Sequence, residues 1–279
     1  VPQLEPKPAM EPNLHKVAVE LSVEPNPEAT KLIDEAMAML SEKPSKIIEA
    51  RDRLNETLRM PMSGSQRTFV KDQLAGLAKE WLFTRKFFPQ DRLCESLQVK
   101  PGDQLRIIGE RYKVPYEILM EINGISRPEA LKAGEVIKVI NGPFHVKIYR
   151  STFTMDLYLQ TTYVRSFRVG LGKPDRQTPT GLWRVKPGGK LPSPLWTDPD
   201  TNEVVHPESP NYPLGSRWIE LEGVEGGTVG RTGFGIHGTK ESETIGVADS
   251  RGCIRLDNGD VILLYNLLVP IHSLVRIED

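Results

Sequence analysis

From Asn26 onward the apolar residues recur at helical spacing. Asn26-Pro27-Glu28 supplies a cap residue, a proline at the first helical position and an acid in the first turn. Ala29, Leu32, Ile33, Ala36, Met37 and Leu40 then fall on one face. The same period predicts a second helix over 45–59, with Ile47, Ala50, Leu54 and Leu58 inward. A third starts near Ser65 and runs through Val70, Leu74, Ala78 and Trp81. Residues 27–92 therefore read as a small helical domain. Its expected role is that of a spacer or a platform for a protein partner, because a packed helical face specifies little chemistry. Residues 1–26 carry prolines at 2, 6, 8, 12 and 25 with no sustained period, and read as an extended tether.

Between 93 and 141 the pattern changes to strand, helix, helix, strand. Lys100-Pro101-Gly102-Asp103 is a turn whose last residue is suited to cap a helix. Leu105, Ile107, Ile108 and Tyr112 follow at helical spacing, Val114-Pro115 breaks the chain, and Ile118, Leu119 and Ile122 mark a second helix ending at Asn123-Gly124. A strand from Val136 to Ile140 closes the unit. The segments PGD, RYKVPYEILMEIN and AGEVIKV together resemble a LysM domain, with Gln104 where threonine is usual. The resemblance implies a βααβ fold that binds N-acetylglucosamine-containing glycans, the sugar backbone of peptidoglycan.

After Gly142-Pro143 the period shortens to two. HVKIYR, MDLYLQ, YVRSFRVGLG, LWRV, WIEL and GIHG read as short strands separated by glycine- and proline-rich turns. Residues 184–216 have no apolar period and suggest a functional lid. Asp257-Asn258 is a cap signal for one late helix through Val261, Leu264, Tyr265 and Leu268, stopped by Pro270. Residues 142–279 are thus a mostly-β, sandwich-like unit with one helix, and the whole chain is multidomain α+β.

Composition narrows the function classes. With 36 basic and 37 acidic residues among 279 the net charge is −1, which argues against nucleic acid as a partner. The chain shows no signal peptide and no run approaching the roughly 18 apolar residues of a membrane span. It is therefore either cytoplasmic or has had an export segment removed. Two cysteines, Cys94 and Cys253, are too few for a disulfide framework, and no Cys or His pairs stand at zinc-ligand spacing, so neither a metal nor another cofactor is expected.

The chemistry concentrates in HGTKESETIGVADSRGCIRL, residues 237–256. Cys253 is a thiol that needs help to ionise, and His237 is the natural proton acceptor. Two adjacent strand ends would bring them together, and Gly252 frees nearby backbone amides to turn toward a carbonyl oxygen. Arg251 cannot accept a proton. On residue types alone, a buried cysteine and a hydrogen-bonded core histidine remain the alternative.

GIHGT, SRGCIRL and the trailing helix, with VGLG, TPTGLWRV and NYPLGSRWIEL upstream, resemble the L,D-transpeptidase catalytic domain family over roughly 143–279. By that resemblance Cys253 matches the acyl-accepting nucleophile and His237 the general base, with the Gly238 carbonyl orienting the imidazole. Backbone amides around Arg251, Gly252 and Cys253 match the oxyanion site. Arg255 matches a usual arginine, which either orders its loop or pairs with a stem-peptide carboxylate, and Ser250, Thr239, Tyr212 and Trp196 are the further candidate substrate contacts. Arg251 stands where many members have histidine. Cys94 is expected to be a passive thiol. The resemblance implies acyl transfer from a peptidoglycan tetrapeptide to an amine, sensitivity to carbapenem-type β-lactams, and a place in the bacterial cell envelope. Water as acceptor would make the protein an L,D-carboxypeptidase, and loss of the chemistry would leave a noncatalytic wall-binding protein.

Overall fold

The computed structural model of the chain describes residues 24–279, so the expected tether lies outside the described residues except for its last three positions. Helix α1 (Pro27–Ser41) begins at the cap signal: the Asn26 side chain accepts from the amides of Glu28 at 2.9 Å and Ala29 at 3.4 Å. These are donors that the first helical turn leaves without an intrahelical partner. Helices α2 (Ile47–Thr57) and α3 (Gly64–Trp81) follow. α3 opens with a reciprocal box in which Ser63 Oγ accepts from the Gln66 amide and Gln66 Oε1 accepts from the Ser63 amide.

Strand β1 (Cys94–Gln98), helices α4 (Leu105–Tyr112) and α5 (Tyr116–Asn123), and strand β2 (Val136–Ile140) form the second unit. β1 and β2 pair antiparallel from Cys94 opposite Ile140 to Gln98 opposite Val136. Asp103 does not cap α4. Its carboxylate accepts from the Lys100 amide at 2.8 Å and closes the turn, while the N-cap is Gln104 without a side-chain bond. Buried Asn123 ties the helix pair to the sheet through 2.8 Å bonds to Leu119 O, Lys138 O and Lys138 N.

The third unit contains β3 (Phe144–Tyr149), β4 (Thr154–Leu159), β5 (Thr162–Arg168), β6 (Leu171–Gly172), β7 (Gly181–Pro192), β8 (Trp196–Thr197), β9 (Val204–Val205), β10 (Arg217–Gly223), β11 (Phe234–Gly238), β12 (Ala248–Ser250), β13 (Ile254–Leu256), helix α6 (Asn258–Tyr265) and β14 (Leu274–Glu278). Eight strands make one mixed sheet in the order β13-β11-β10-β7-β14-β3-β4-β5. Only β11–β13 and β3–β14 are parallel. Just beyond β5, Gly170 bridges Arg255 on β13. The two edges of the sheet therefore approach each other, curling it most of the way to a barrel. Short ladders, β6–β12 and β8–β9, sit outside it.

The lid is shorter than its sequence suggests, because β7 continues through residues 184–192. The register against β10 shifts between Ile219 and Leu221, and this irregularity absorbs Pro187-Gly188-Gly189 without ending the strand. The excursion from the sheet starts at Ser193, with β8 and β9 forming a small hairpin within it.

The helical unit is fixed to both of its neighbours. The Lys138 ammonium, buried beneath β2, donates to the carbonyls of Trp81, Thr84 and Lys86 just past α3. α3 lies against the edge strand β5. There the Asn55 side chain accepts from the Tyr163 amide at 2.7 Å, and Lys71 reaches the fully buried Asp156 carboxylate at 2.6 Å. Helices that cover an edge strand and satisfy its donors remove a site of strand-to-strand aggregation. One continuous apolar core runs from Trp81 and Leu82 through Ile118 and Leu119 to Val146, Trp183 and Leu264.

Candidate active site

The parallel pair β11–β13 sets Ile236 opposite Ile254, His237 opposite Arg255 and Gly238 opposite Leu256. Cys253 immediately precedes β13, so the same register brings it beside Gly235, two residues before the histidine. Fifteen intervening residues thus become a one-strand separation.

The His237 ring is buried and held on two sides. Nδ1 lies 2.6 Å from the Gly238 carbonyl. A carbonyl can only accept, so Nδ1 carries the proton and the Nε2 lone pair is left available. Trp218 on β10, opposite His237 in the antiparallel register, stacks on the imidazole with ring centroids 5.7 Å apart at 26°. The two glycines of Gly235-Ile236-His237-Gly238 make this possible. A Cβ at Gly235 would lie 2.7 Å from the Trp218 ring, and one at Gly238 would lie 2.2 Å from Asn258 Oδ1. Asn258 in turn accepts from the Ser216 amide at 2.9 Å and donates to Thr239 O at 2.8 Å. It clamps the end of β11 instead of capping α6, whose N-cap is Asp257 with no side-chain bond.

The nucleophile loop is built by Ser250 and Gly252. Ser250 Oγ donates to Cys253 O at 2.6 Å and accepts from the Gly252 amide at 3.1 Å. Gly252 holds φ +116°, with the Phe234 ring 3.0 Å from where a Cβ would stand. That backbone region is strained for any L side chain. The half-buried Cys253 thiol donates to Gly233 O at 3.6 Å, a contact suited to the protonated sulfur.

Burial sets the charge state. Desolvation brings the His237 pKa down to about 4; the Gly238 contact opposes this and the Arg255 charge adds to it. Desolvation also raises the Cys253 thiol, against a backbone hydrogen bond from Gly235 and the charge of Arg255. Burial thus favours the neutral thiol and the neutral imidazole. Iodoacetamide alkylation of Cys253, followed against pH, is expected to be slower than that of a free cysteine at pH 7. It should keep rising above pH 9; a plateau near neutrality would show a preformed thiolate.

The remaining residues divide into those at the mouth of the site and those in its scaffold. Ser250 and Thr239 are buried and bond within their own loops, Thr239 Oγ1 accepting from the Glu241 amide at 3.0 Å. Tyr212 is buried under the lid, with its hydroxyl on Pro194 O at 2.5 Å. These three pack and order the site and present no polar group to a substrate. The Gly252 amide is likewise committed to Ser250. Arg255 pairs with Asp249 at 3.3 Å and Glu241 at 3.7 Å, ordering the loop ahead of the nucleophile. Arg251 reaches Asp198 at 2.9 Å and Asp200 at 3.2 Å, with its guanidinium carbon 5.9 Å from the centroid of the half-exposed Trp196. Cys94 is buried in β1 with a pKa pushed up to about 12, chiefly by desolvation, and is not bonded to Cys253.

Sequence reasoning missed Trp218, Asn258, Asp198 and Asp200. The tryptophan left one legible signal, its place in the alternating strand RWIEL, but its partner depends on register.

Comparison with known proteins agrees with this architecture. Residues 143–277 match the model of the L,D-transpeptidase catalytic domain, and residues 97–139 match that of the LysM domain. The YkuD protein of Bacillus subtilis (strain 168) is 30% identical over 188 residues, spanning 65% of this chain and 97% of its own length. YqjB of the same strain is 33% identical over 138 residues, 50% of this chain and 73% of its own. ErfK/SrfK of Escherichia coli (strain K12) is 27% identical over 203 residues, 67% and 56% respectively. All three carry L,D-transpeptidase in their names. The chain belongs to the L,D-transpeptidase family, with a YkuD-type catalytic domain preceded by a LysM domain.

Proposed function

We propose that the protein is a cysteine acyltransferase of the bacterial cell envelope that acts on the tetrapeptide stems of peptidoglycan. The observation that carries this reading is the placement of Cys253 just ahead of β13, beside Gly235 and on the strand next to an imidazole whose Nδ1 is fixed on Gly238 O and whose Nε2 is left to accept a proton. Cys253 sulfur attacks the carbonyl that joins an L-centre to the terminal D-residue and passes its proton to His237 Nε2. The amides of Arg251 and Cys253 receive the oxyanion, since that of Gly252 is held by Ser250. Collapse of the tetrahedral intermediate leaves a thioester, and the imidazolium returns the proton to the departing D-amino acid. His237 then takes a proton from a second stem's amine as it attacks the thioester, and the thiol is restored.

Intact-protein mass spectrometry after incubation with a tetrapeptide muropeptide tests the first step. The expected adduct equals the peptide minus its terminal D-amino acid. Absence of any adduct, with no D-amino acid released, overturns the reading. Adding a second stem then separates transfer to an amine from hydrolysis.

The LysM unit supplies the glycan contact in this proposal. Asn123, Gly124, Ile125, Ser126, Lys132 and Glu135 line an open cleft of about 580 Å³, and Arg85 from the segment after α3 completes its wall. Ile125→Glu in the full chain is expected to reduce retention on purified peptidoglycan at least about tenfold, a loss in keeping with burying a charge against a bound ring. Unchanged retention would remove this cleft from the proposal.

A further inference from the structure

Both arginines that flank the nucleophile are already neutralised inside the protein, but they are held differently. Arg255 is 17% exposed at its side chain and pairs with Asp249 and Glu241 on the loop that leads into its own strand. Arg251 is 41% exposed, and its partners lie some fifty residues away, on the β8–β9 hairpin of the lid. There Asp198 is a prepared acceptor: one oxygen takes the amides of Asp200 at 2.8 Å and Thr201 at 3.3 Å as well as the Arg251 guanidinium. Asp200 is shared, its second arginine being Arg176 at 3.0 Å. The only covalent link between this hairpin and the nucleophile loop is the long way round the sheet. The ion pairs, with Trp196 beside the guanidinium, join them locally.

We propose that Arg251 is the receptor for the substrate's terminal carboxylate, and that Asp198 and Asp200 mask it in the free protein. The inference rests on the acyl-transfer reading above, whose substrate ends in a carboxylate one residue beyond the scissile bond. Arg251 lies two residues from Cys253 and carries the planar fork that a carboxylate matches bidentately. Half-exposed ion pairs are weak, each changing an equilibrium by at most about fivefold. An incoming carboxylate can therefore exchange with Asp198 or Asp200 at little cost, since Asp198 keeps its two backbone amides and Asp200 keeps Arg176, whereas the Arg255 guanidinium is itself the more enclosed. The exchange frees the β8–β9 hairpin from the nucleophile loop at the moment the peptide arrives. Lid opening is thereby tied to the presence of the group that marks a tetrapeptide end.

Two readouts on the full-length protein test this. The first is the rate of Cys253 alkylation by iodoacetamide, which needs no turnover. The charge-neutral D198N/D200N variant is expected to be alkylated at least about five times faster than wild type, as removing both pairs of Arg251 allows; an equal or slower rate overturns the masking role. The second is KM for a tetrapeptide with a free terminal carboxylate against the same peptide amidated at its C-terminus. Wild type is expected to favour the free acid about tenfold or more and Arg251→Gln to lose that preference, with D198N/D200N lowering KM for the free acid alone. Arg251→Gln that still discriminates as wild type does overturns the receptor role. Wild type that turns over neither peptide, while the alkylation arm behaves as expected, removes the acyl-transfer reading and the receptor role with it and leaves the aspartate latch standing.

Discussion

Cys253→Ala is expected to form no acyl-enzyme with a tetrapeptide muropeptide, and release of the terminal D-amino acid should fall by several orders of magnitude. The magnitude follows from the division of labour at the site. In the proposed mechanism the sulfur forms the covalent bond, while the neighbouring groups move its proton or receive the oxyanion. His237→Gln should cost a comparable amount, because a thiol raised by burial depends on the imidazole to lose its proton. Residues acting as one unit are not additive. The double variant should therefore be no slower than Cys253→Ala alone. Stopped-flow release assays and intact-mass measurement on the same preparations decide the matter, and turnover retained by Cys253→Ala would remove the cysteine from the mechanism. The fold should survive the change, since the loop is held by Ser250 and the glycines and not by the sulfur.

Acid should destabilise the folded protein steeply between about pH 6.5 and pH 4. His145 on β3 is buried as completely as His237, and desolvation brings its pKa to about 4 also; its Nδ1 accepts from the Leu274 amide at 3.1 Å, joining β3 to β14. In the unfolded chain both imidazoles take protons near pH 6.5. Between the two values the unfolded state binds more protons, so stability is complete above pH 6.5, is lost as the pH falls, and levels off below about 4. Each histidine contributes about 3 kcal/mol to that loss. Urea denaturation at a series of pH values should show the slope, and His145→Gln should remove about half of it. A slope unchanged by that substitution would place the acid sensitivity elsewhere. Activity should follow the same limb, because protonated His237 cannot accept the thiol proton.

Cys253 and His237 were singled out through separated blocks over residues 143–279 that resemble one family, because on residue types alone a buried cysteine and a core histidine stayed open. The first helix was legible from a local signal, since Asn26-Pro27-Glu28 is a cap complete in itself, whereas the Ser63–Gln66 box emerged only in the structure, just ahead of the start expected near Ser65. Two of the misreadings involve partners far away in the chain. Asn258 follows an aspartate at a helix start and reads as a cap, yet its amide is taken by Ser216 and Thr239, which only the folded sheet brings near. Pro187-Gly188-Gly189 reads as the opening of a loop, but pairing with β10 on one side and β14 on the other lets β7 carry it as a bulge. Ser250, Tyr212 and Thr239 were expected as candidate substrate contacts, but the structure buries all three and commits their hydroxyls to Cys253 O, Pro194 O and the Glu241 amide.

By itself, then, the sequence determined the order of helical, LysM and mostly-β units, and through the family resemblance it offered Cys253 and His237 as the candidate pair. Period, caps and turn chemistry act over a handful of residues and need no knowledge of the rest. Only the tertiary structure decided that the helical unit covers the β5 edge, that Trp218 stacks on His237, that burial favours an uncharged pair, and that Arg251 spends its charge on the lid. Register, desolvation and ion pairing across fifty residues are properties of what the fold brings together, and no local pattern along the chain encodes them.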